Sequence, residues 1–281
     1  MTHTTTELRP YHLDHPGGTV CLVQITDCHL GHSPGSTLLG MDTDHSLQAV
    51  VDLIGREREQ TDLILGTGDL SDHGANAAYV RLQTYFKQLS DTSFWLPGNH
   101  DSRAEMSAVI GSGSQLCNEI RVAGWQIVML DSQVPREVGG ELGAGQLELL
   151  EDCLRRAGEA GLHTLICLHH QPIAIGCDWL DKQMVADAEE FFAVIGRYNS
   201  VRGILWGHVH QQIDRQLKDI KLMSTPSTCV QFAPGQAQFK LDDLPPGYRW
   251  LDLHSDGTIE TAVSRVHGVT FTVELDSGGY L

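Results

Sequence analysis

The stretch Ser93-Phe94-Trp95-Leu96-Pro97-Gly98-Asn99-His100-Asp101 decides how this chain reads. An apolar run stops at Pro-Gly, and an amide, an imidazole and a carboxylate follow without a gap. A buried strand that ends in a turn and then presents three polar groups marks the edge of a reactive site. The layout recurs in both directions along the chain. Residues 19–26 form an apolar run closed by Asp27-Cys28-His29, and residues 61–68 a run closed by Gly68-Asp69. Residues 164–168 lead into His169-His170-Gln171, and residues 201–206 into Gly207-His208-Val209-His210. In an extended chain alternate side chains share a side, so Asp27 is expected to point with His29, and His208 with His210.

Between these runs lie stretches with helical spacing, at 42–60, 76–90, 146–156 and 186–198, plus a short one ending near Ile110. In the first, Leu47, Val50, Val51 and Ile54 make one apolar stripe. Residues 125–130 are a further strand, closed by Asp131-Ser132. After His210 strand-like runs dominate (220–223, 229–232, 247–253 and 258–263), which reads as hairpins or a meander. Residues 1–18, rich in Thr and His, read as a flexible lead-in. Residues 19–265 read as one domain whose part from about 211 is strand-rich, and 266–281 as a tail.

The 281 residues suffice for one large α/β domain or two small ones. A formal net charge of -17 repels nucleic acid and anionic membrane surfaces, so neither is expected as a partner. An anionic substrate then needs a local positive centre, which metal ions can supply. The seven cysteines are scattered without a CxxC pair, so reduced thiols are expected rather than disulfides or a thiolate zinc site. The N-terminus has no apolar core of a signal peptide and no run reaches membrane-span length, which makes a cytoplasmic location the default expectation.

Asp27, His29, Asp69, Asn99, His100, His169, His208 and His210 are the strand-end groups. Oxygen and imidazole donors without thiolate suit divalent Mn, Fe or Zn. Eight groups are too many for one ion with an open position, and suit two ions bridged by Asp69. Two such ions sit about 3.5–4 Å apart and clamp the attacking and leaving oxygens of an in-line displacement, and a bridging hydroxide then serves as the nucleophile.

Asp27-x-His29, Gly68-Asp69, Gly98-Asn99-His100-Asp101, His169 and Gly207-His208-x-His210 together resemble the calcineurin-like metallophosphoesterase superfamily. The resemblance implies a four-layer αββα sandwich, with two mixed β-sheets face to face and helices outside. It implies one metal held by Asp27, His29, Asp69 and His210, and a second held by Asp69, Asn99, His169 and His208. His100 would be the catalytic acid, oriented by Asp101, and His29, Asp69, Asn99, His100 and His210 would contact substrate. A closer resemblance runs from about Val20 to Val263. Leu38-Leu39-Gly40-Met41, the Trp95–Asp101 stretch, Leu130-Asp131-Ser132-Gln133, Trp179-Leu180-Asp181 and the Thr225–Phe232 segment are similar to bacterial class III cyclic-nucleotide phosphodiesterases. That implies hydrolysis of 3′,5′-cyclic AMP to 5′-AMP with two divalent ions, Fe and/or Mn, with Zn or Co as alternatives. Other small diesters and 2′,3′-cyclic nucleotides stay open as substrates, and a homodimer stays open as an assembly. A protein phosphatase is disfavoured because His73 stands where that branch places an Arg, a nuclease by the acidic balance, and a non-enzymatic scaffold by the full set of ligand-type residues. Gln171 departs from the usual residue after the paired histidines. His170 reads equally as a phosphate contact or a packed neighbour, and Trp179 as a structural residue or a stacking surface for a purine.

Overall fold

Along β2 (Val20–Ile25), Val20 and Leu22 belong to one buried cluster and Val23 and Ile25 to another. That period of two assigns opposite faces of the strand to different layers. The structure, a computed structural model, describes residues 10–279. Chain order begins β1 (Tyr11–Leu13), β2, β3 (Thr37–Leu38), β4 (Met41–Asp42), α1 (Thr43–Glu57), β5 (Leu63–Thr67), α2 (Asn76–Phe86), β6 (Ser93–Leu96) and α3 (Arg103–Ile110). It continues β7 (Glu119–Val122), β8 (Trp125–Met129), α4 (Gly143–Ala160), β9 (His163–Cys167), α5 (Asp178–Asp181), α6 (Ala188–Ile195), β10 (Val201–Trp206), β11 (Ile213–Leu217) and β12 (Ile220–Ser224). Short β13 (Gln231–Phe232) and β14 (Leu241–Asp242) precede β15 (Gly247–Leu253) and β16 (Ile259–Arg265).

One sheet has seven strands in the order β1-β7-β8-β9-β10-β12-β11, and the other five in the order β16-β15-β2-β5-β6. The faces they turn toward each other meet in a core that includes Leu22, Leu65, Phe94, Ile127, Leu165 and Leu205. On the outer face of the five-stranded sheet, Val23, Ile25 and Ile64 pack on Leu47 and Ile54 of α1 and Tyr79 and Phe86 of α2. On the outer face of the other sheet, Val128, Ile166 and Ile204 pack on Leu150 and Leu154 of α4 and Phe191 of α6. The expected four-layer αββα arrangement is the one found. Asp42 caps α1 by accepting from His45 N at 2.9 Å, and Ser102 caps α3.

Strand direction positions the site. β2, β5 and β6 are mutually parallel, as are β8, β9 and β10. Their C-terminal ends therefore deliver loops to one edge, where ligands of open α/β sheets bind. The loops are laced together beyond the strands, since Asp27 N donates to Gly68 O and His29 N to Asp69 O, both at 2.9 Å.

Local differences from the sequence reading appear along the chain. Tyr11–Leu13, inside the expected lead-in, pairs with β7 because Tyr11 packs edge-on against Phe94 with ring centroids 5.3 Å apart; residues 1–9 lie outside the described residues. β3, β4, β7, β11 and β14 are additional strands. Of 229–232 only Gln231–Phe232 is a strand, and Asp178–Asp181, outside the stretches read as helical, is one helical turn. The tail from Val266 runs back across the molecule without regular structure, with Glu274 N donating to Leu39 O at 2.9 Å, until Gly279 reaches the rim of the main cleft. Residues 280 and 281 lie outside the described residues. Among the described residues no helix is long and apolar enough to cross a membrane, and all seven cysteines are free thiols.

Candidate metal centre and active site

Five of the expected ligands stand in a backbone conformation that most residues avoid. Asp27 (φ 53°), His29 (φ 45°), Asp69 (φ 49°), His208 (φ 65°) and His210 (φ 48°) are all left-handed. The strand-end pairs therefore converge by turning, and the alternation of an extended chain is not how they come together. Asp27, His29 and His210 place ligand atoms within 4.8 Å of one another. His208 goes elsewhere, to His169, while Asp69 joins Asp27 and His169 in a third grouping between the two. Gly68 and Gly98 make this approach feasible: a Cβ on Gly68 would strike the His169 ring, and one on Gly98 would strike both the carboxylate and the backbone N of Asp69.

The donor set can be tested for cations from its own hydrogen bonds. His210 Nδ1 lies 2.8 Å from Val230 O, and His29 Nδ1 lies 3.4 Å from Asp72 Oδ1. Val230 O holds the His210 ring proton on Nδ1, and the negative charge of Asp72 beside His29 Nδ1 favours the same tautomer there, so each Nε2 carries a lone pair. Those two Nε2 atoms face each other at 3.3 Å, and His210 Nε2 is 3.4 Å from Asp27 Oδ1. His169 Nδ1 is tied to Thr67 O at 2.9 Å, which aims its Nε2 at Asn99 Oδ1 and Asp69 Oδ2, each 3.2 Å away. His208 Nε2 is tied to Gln183 Oε1 at 3.0 Å, and its Nδ1 lies 3.1 Å from Asn99 Oδ1. Four imidazoles are thus anchored by acceptors on their outer nitrogens and turned inward onto further acceptors. Such an arrangement repels itself unless positive charge sits between the groups, and it is how ligating histidines are oriented. These residues would fit two cations, with Asp69 standing between the two donor groups.

Titration follows the same crowding. Burial alone would raise Asp69, but His169, His100 and His29 around it hold its carboxyl well below the usual carboxylate range. His169 opposes its own burial and is drawn up to about 9 by the Asp69 charge; a proton and a cation compete for that nitrogen. Burial and the neighbouring His170 and His169 push His208 well below the ordinary imidazole value. His170 is engaged on both nitrogens, by the Ser132 hydroxyl at 2.8 Å and Val138 O at 3.0 Å.

His100 lies at the edge of this array. Its backbone N donates to Asp69 Oδ1 at 2.8 Å and its Nδ1 to Asp72 O at 2.9 Å, with Asp72 Oδ1 3.7 Å away. Burial disfavours its charged form, yet Asp69 and Asp72 raise it overall. Asp101 accepts from Gly98 N (2.9 Å), Ser71 N (3.0 Å), Leu70 N (3.2 Å) and the Tyr79 hydroxyl (2.8 Å). Its carboxylate therefore braces the two loops that carry Asp69 and Asn99, and reaches His100 through its charge. Asp72 and Gln183 are the residues that sequence reasoning passed over. Asp72 had one available signal, a second carboxylate three residues after Asp69, whereas Gln183 had none. Gln133 also supports the site, donating to Gly98 O and Asp101 O at 2.7 Å each.

The centre opens on a cleft of about 410 Å³, whose lining includes Asp69, Asn99, His100 and His208. Residues 22–212 match the family described as "Calcineurin-like phosphoesterase". The chain is 44% identical over 262 residues to a 3′,5′-cyclic adenosine monophosphate phosphodiesterase CpdA of Pseudomonas aeruginosa, covering 93% of this chain and 96% of that one. It is 42% identical over 265 residues to the protein of the same name from Vibrio vulnificus, covering 93% and 96%. A dimetal phosphatase from Danio rerio shares the fold, with a TM-score of 0.59 at 16% identity over 88% of this chain and 98% of that one. The resemblance read from the motifs holds over the length of the chain, and the chain belongs to the calcineurin-like phosphoesterase family.

Proposed function

We propose that this protein is a two-metal phosphodiesterase that hydrolyses 3′,5′-cyclic AMP to 5′-AMP. One observation carries the metal part of the reading: four outward-anchored histidines whose inner nitrogens face each other and the oxygens of Asp27, Asp69 and Asn99. The substrate part rests on the relatives named for cyclic AMP, similar over nearly the whole chain. Asp27, His29, Asp69 and His210 would hold one ion, and Asp69, Asn99, His169 and His208 the other, with Fe and/or Mn the metals and Zn or Co alternatives. When bound, the ions supply positive charge for the diester and a hydroxide nucleophile at neutral pH.

The remaining chemistry belongs to the chain. Asp69, with its carboxyl held ionised, lies between the two donor groups. His100 keeps its Nδ1 proton on Asp72 O, which leaves Nε2 as the atom that exchanges a proton with substrate. In the imidazolium state, which Asp69 and Asp72 favour, it donates that proton to the departing 3′ oxygen and stabilises phosphoryl charge before then. Asp101 acts by fixing the loops around it. His29, Asp69, Asn99, His100 and His210 would border the bound phosphate. The chain's acidic balance makes the centre the place where an anion is captured.

The test is a substrate panel with Mn²⁺- or Fe²⁺-loaded protein: cyclic AMP, cyclic GMP, 2′,3′-cyclic AMP and methyl 4-nitrophenyl phosphate, each with and without EDTA. Cyclic AMP should give 5′-AMP, and EDTA should abolish it. Turnover of the aryl diester or the 2′,3′-cyclic nucleotide with cyclic AMP untouched would refute the substrate assignment. Turnover surviving exhaustive chelation would refute the metal centre.

A further inference from the structure

The cleft lining holds two chemically distinct groups. Asp69, Asn99, His100 and His208 are the polar one, and Trp179, Phe232 and Phe239, in ring contact with one another, the aromatic one. In a 3′,5′-cyclic nucleotide the phosphate is closed onto the ribose, so the base projects from the far side of the sugar. A phosphate at the polar group sends the base toward the rings, and the cleft volume of about 410 Å³ lies within the usual range of small-molecule sites. Resting on the cyclic-nucleotide reading above, we infer that the Trp179–Phe232–Phe239 corner is a nucleobase subsite built for a purine.

The three rings form a fixed assembly. Trp179 meets Phe232 edge to face at 5.1 Å and Phe239 at 5.3 Å, and Phe232 meets Phe239 at 5.5 Å. Phe232 itself lies flat on the ring of His210, 4.1 Å between centroids and 7° between planes. The aromatic corner is therefore registered against a metal-site histidine, so the distance from phosphate to base platform is built into the fold. Trp179 is held from behind as well. It sits on α5, where Asp181 accepts from Ile175 N at 2.7 Å and Gly176 N at 3.0 Å, and Gln171 Nε2 donates to Leu180 O at 2.6 Å. Gln171, the unusual residue two places after His169, thus ties the platform to the strand end that carries a metal-site histidine.

The Trp179 indole N–H is buried and has no acceptor among the described residues. An orphaned donor is unfavourable, and Phe or Leu would fill the corner without one. The wide π face of the indole is what those residues would not supply, and a bicyclic base uses it more fully than a monocyclic one. Gln183 also lines the cleft with its carbonyl committed to His208, which leaves its NH₂ as a donor for a purine ring nitrogen.

The experiment compares wild type with Phe239→Leu and, as a second variant, Trp179→Leu, all Mn²⁺-loaded and checked for folding by circular dichroism. The substrates are cyclic AMP, cyclic CMP and the base-less diester methyl 4-nitrophenyl phosphate. Base stacking on an aromatic is strong enough that either variant should lower the ratio of kcat/KM for cyclic AMP to that for the base-less diester about tenfold. The loss should sit in KM, and the preference for cyclic AMP over cyclic CMP should shrink with it. An unchanged ratio in both folded variants would overturn the inference, and so would a parallel fall on both diesters, which would make the corner only a support for His210. Either result with cyclic AMP still turned over by wild type leaves the proposed function standing. Failure of wild type on cyclic AMP removes both.

Discussion

Replacing Asp72 by Asn isolates a charge that acts on the proposed acid catalyst. The Asp72 carboxylate lies 3.4 Å from His29 Nδ1 and 3.7 Å from His100 Nδ1, and its backbone oxygen takes the His100 Nδ1 proton at 2.9 Å. The substitution keeps the backbone contact, and the amide oxygen can still accept from His29. What disappears is one negative charge. Two unit charges 3.7 Å apart interact by about 4.5 kcal/mol at an effective dielectric of about 20, an upper limit. Both side chains are slightly open to solvent, 17% and 18%, and Asp69 also supports the His100 charge. About a third of the limit, roughly 1.4 kcal/mol, is the working figure, which is about one pH unit. Asp72 raises His100, so its removal lowers the imidazolium's pKa. A step that needs protonated His100 then fails at lower pH, and the alkaline limb of the kcat profile should move down by about one unit. Stopped assays of cyclic AMP turnover across pH 6–10, with metal content measured in parallel, provide the check. An unmoved alkaline limb would refute the charge argument. Loss of one equivalent of metal would show instead that Asp72 acts mainly through His29.

Three further outcomes are expected. His100→Ala should cut turnover about 10²–10⁴-fold with both equivalents of metal retained by elemental analysis, since loss of an equivalent would reassign His100 as a ligand. Gly98→Ala drives a methyl group into the Asp69 backbone and carboxylate and the His169 ring, so the protein should fold by circular dichroism yet bind under half the wild-type metal; full occupancy would count against the close-approach argument. Buried Glu119 is paired with Arg156 at 2.5 Å and Arg121 at 2.9 Å, and although burial opposes its charge these partners hold its carboxyl below the ordinary value. Its stabilisation is therefore complete above the unfolded value of about 4.3 and is lost as pH falls through the folded one. Glu119→Gln should lower the Tm at pH 7 and flatten its decline below pH 4.5, and a parallel decline in both proteins would show that Glu119 contributes nothing to acid sensitivity.

Much of this was legible because of where buried parallel strands must end. A strand such as Leu63–Thr67, buried on both faces, has to be apolar along its length, so the first polar residues after it advertise the strand's C-terminal edge. Asp69, Asn99, His169 and His208 were readable on that logic. Gln183 was not, because its partner, His208, lies 25 residues away and a glutamine in a loop carries no local pattern. Tyr11–Leu13 escaped for a related reason: a three-residue edge strand surrounded by polar residues has no periodicity, and its place comes from distant partners, β7 beside it and Phe94 across the sheet interface. The turn at 178–181 is held by Gln171 and Asp181 bonds to backbone, which composition does not record.

The pairs Asp27/His29 and His208/His210 carry a different lesson. The spacing was informative while the geometry behind it was otherwise. An extended strand would have sent both members of a pair to one side; Asp27 and His29 do meet in one donor group, with His210, whereas His208 and His210 part. Left-handed turns at all four positions let His208 face Asn99 while His210 faces His29 and Asp27. One strand end can thereby serve two donor groups, which alternation cannot do. Each left-handed residue without glycine's freedom costs on the order of 1 kcal/mol or more. The fold opposes that cost with the lacing of Asp27 N to Gly68 O and His29 N to Asp69 O, and with Asp27 oxygens accepting from His208 N at 3.0 and 3.2 Å. Strain, lacing and outer-nitrogen anchors form one device: they hold mutually repelling groups together in advance, so that the attraction of the proposed ions would not be consumed in assembling the site.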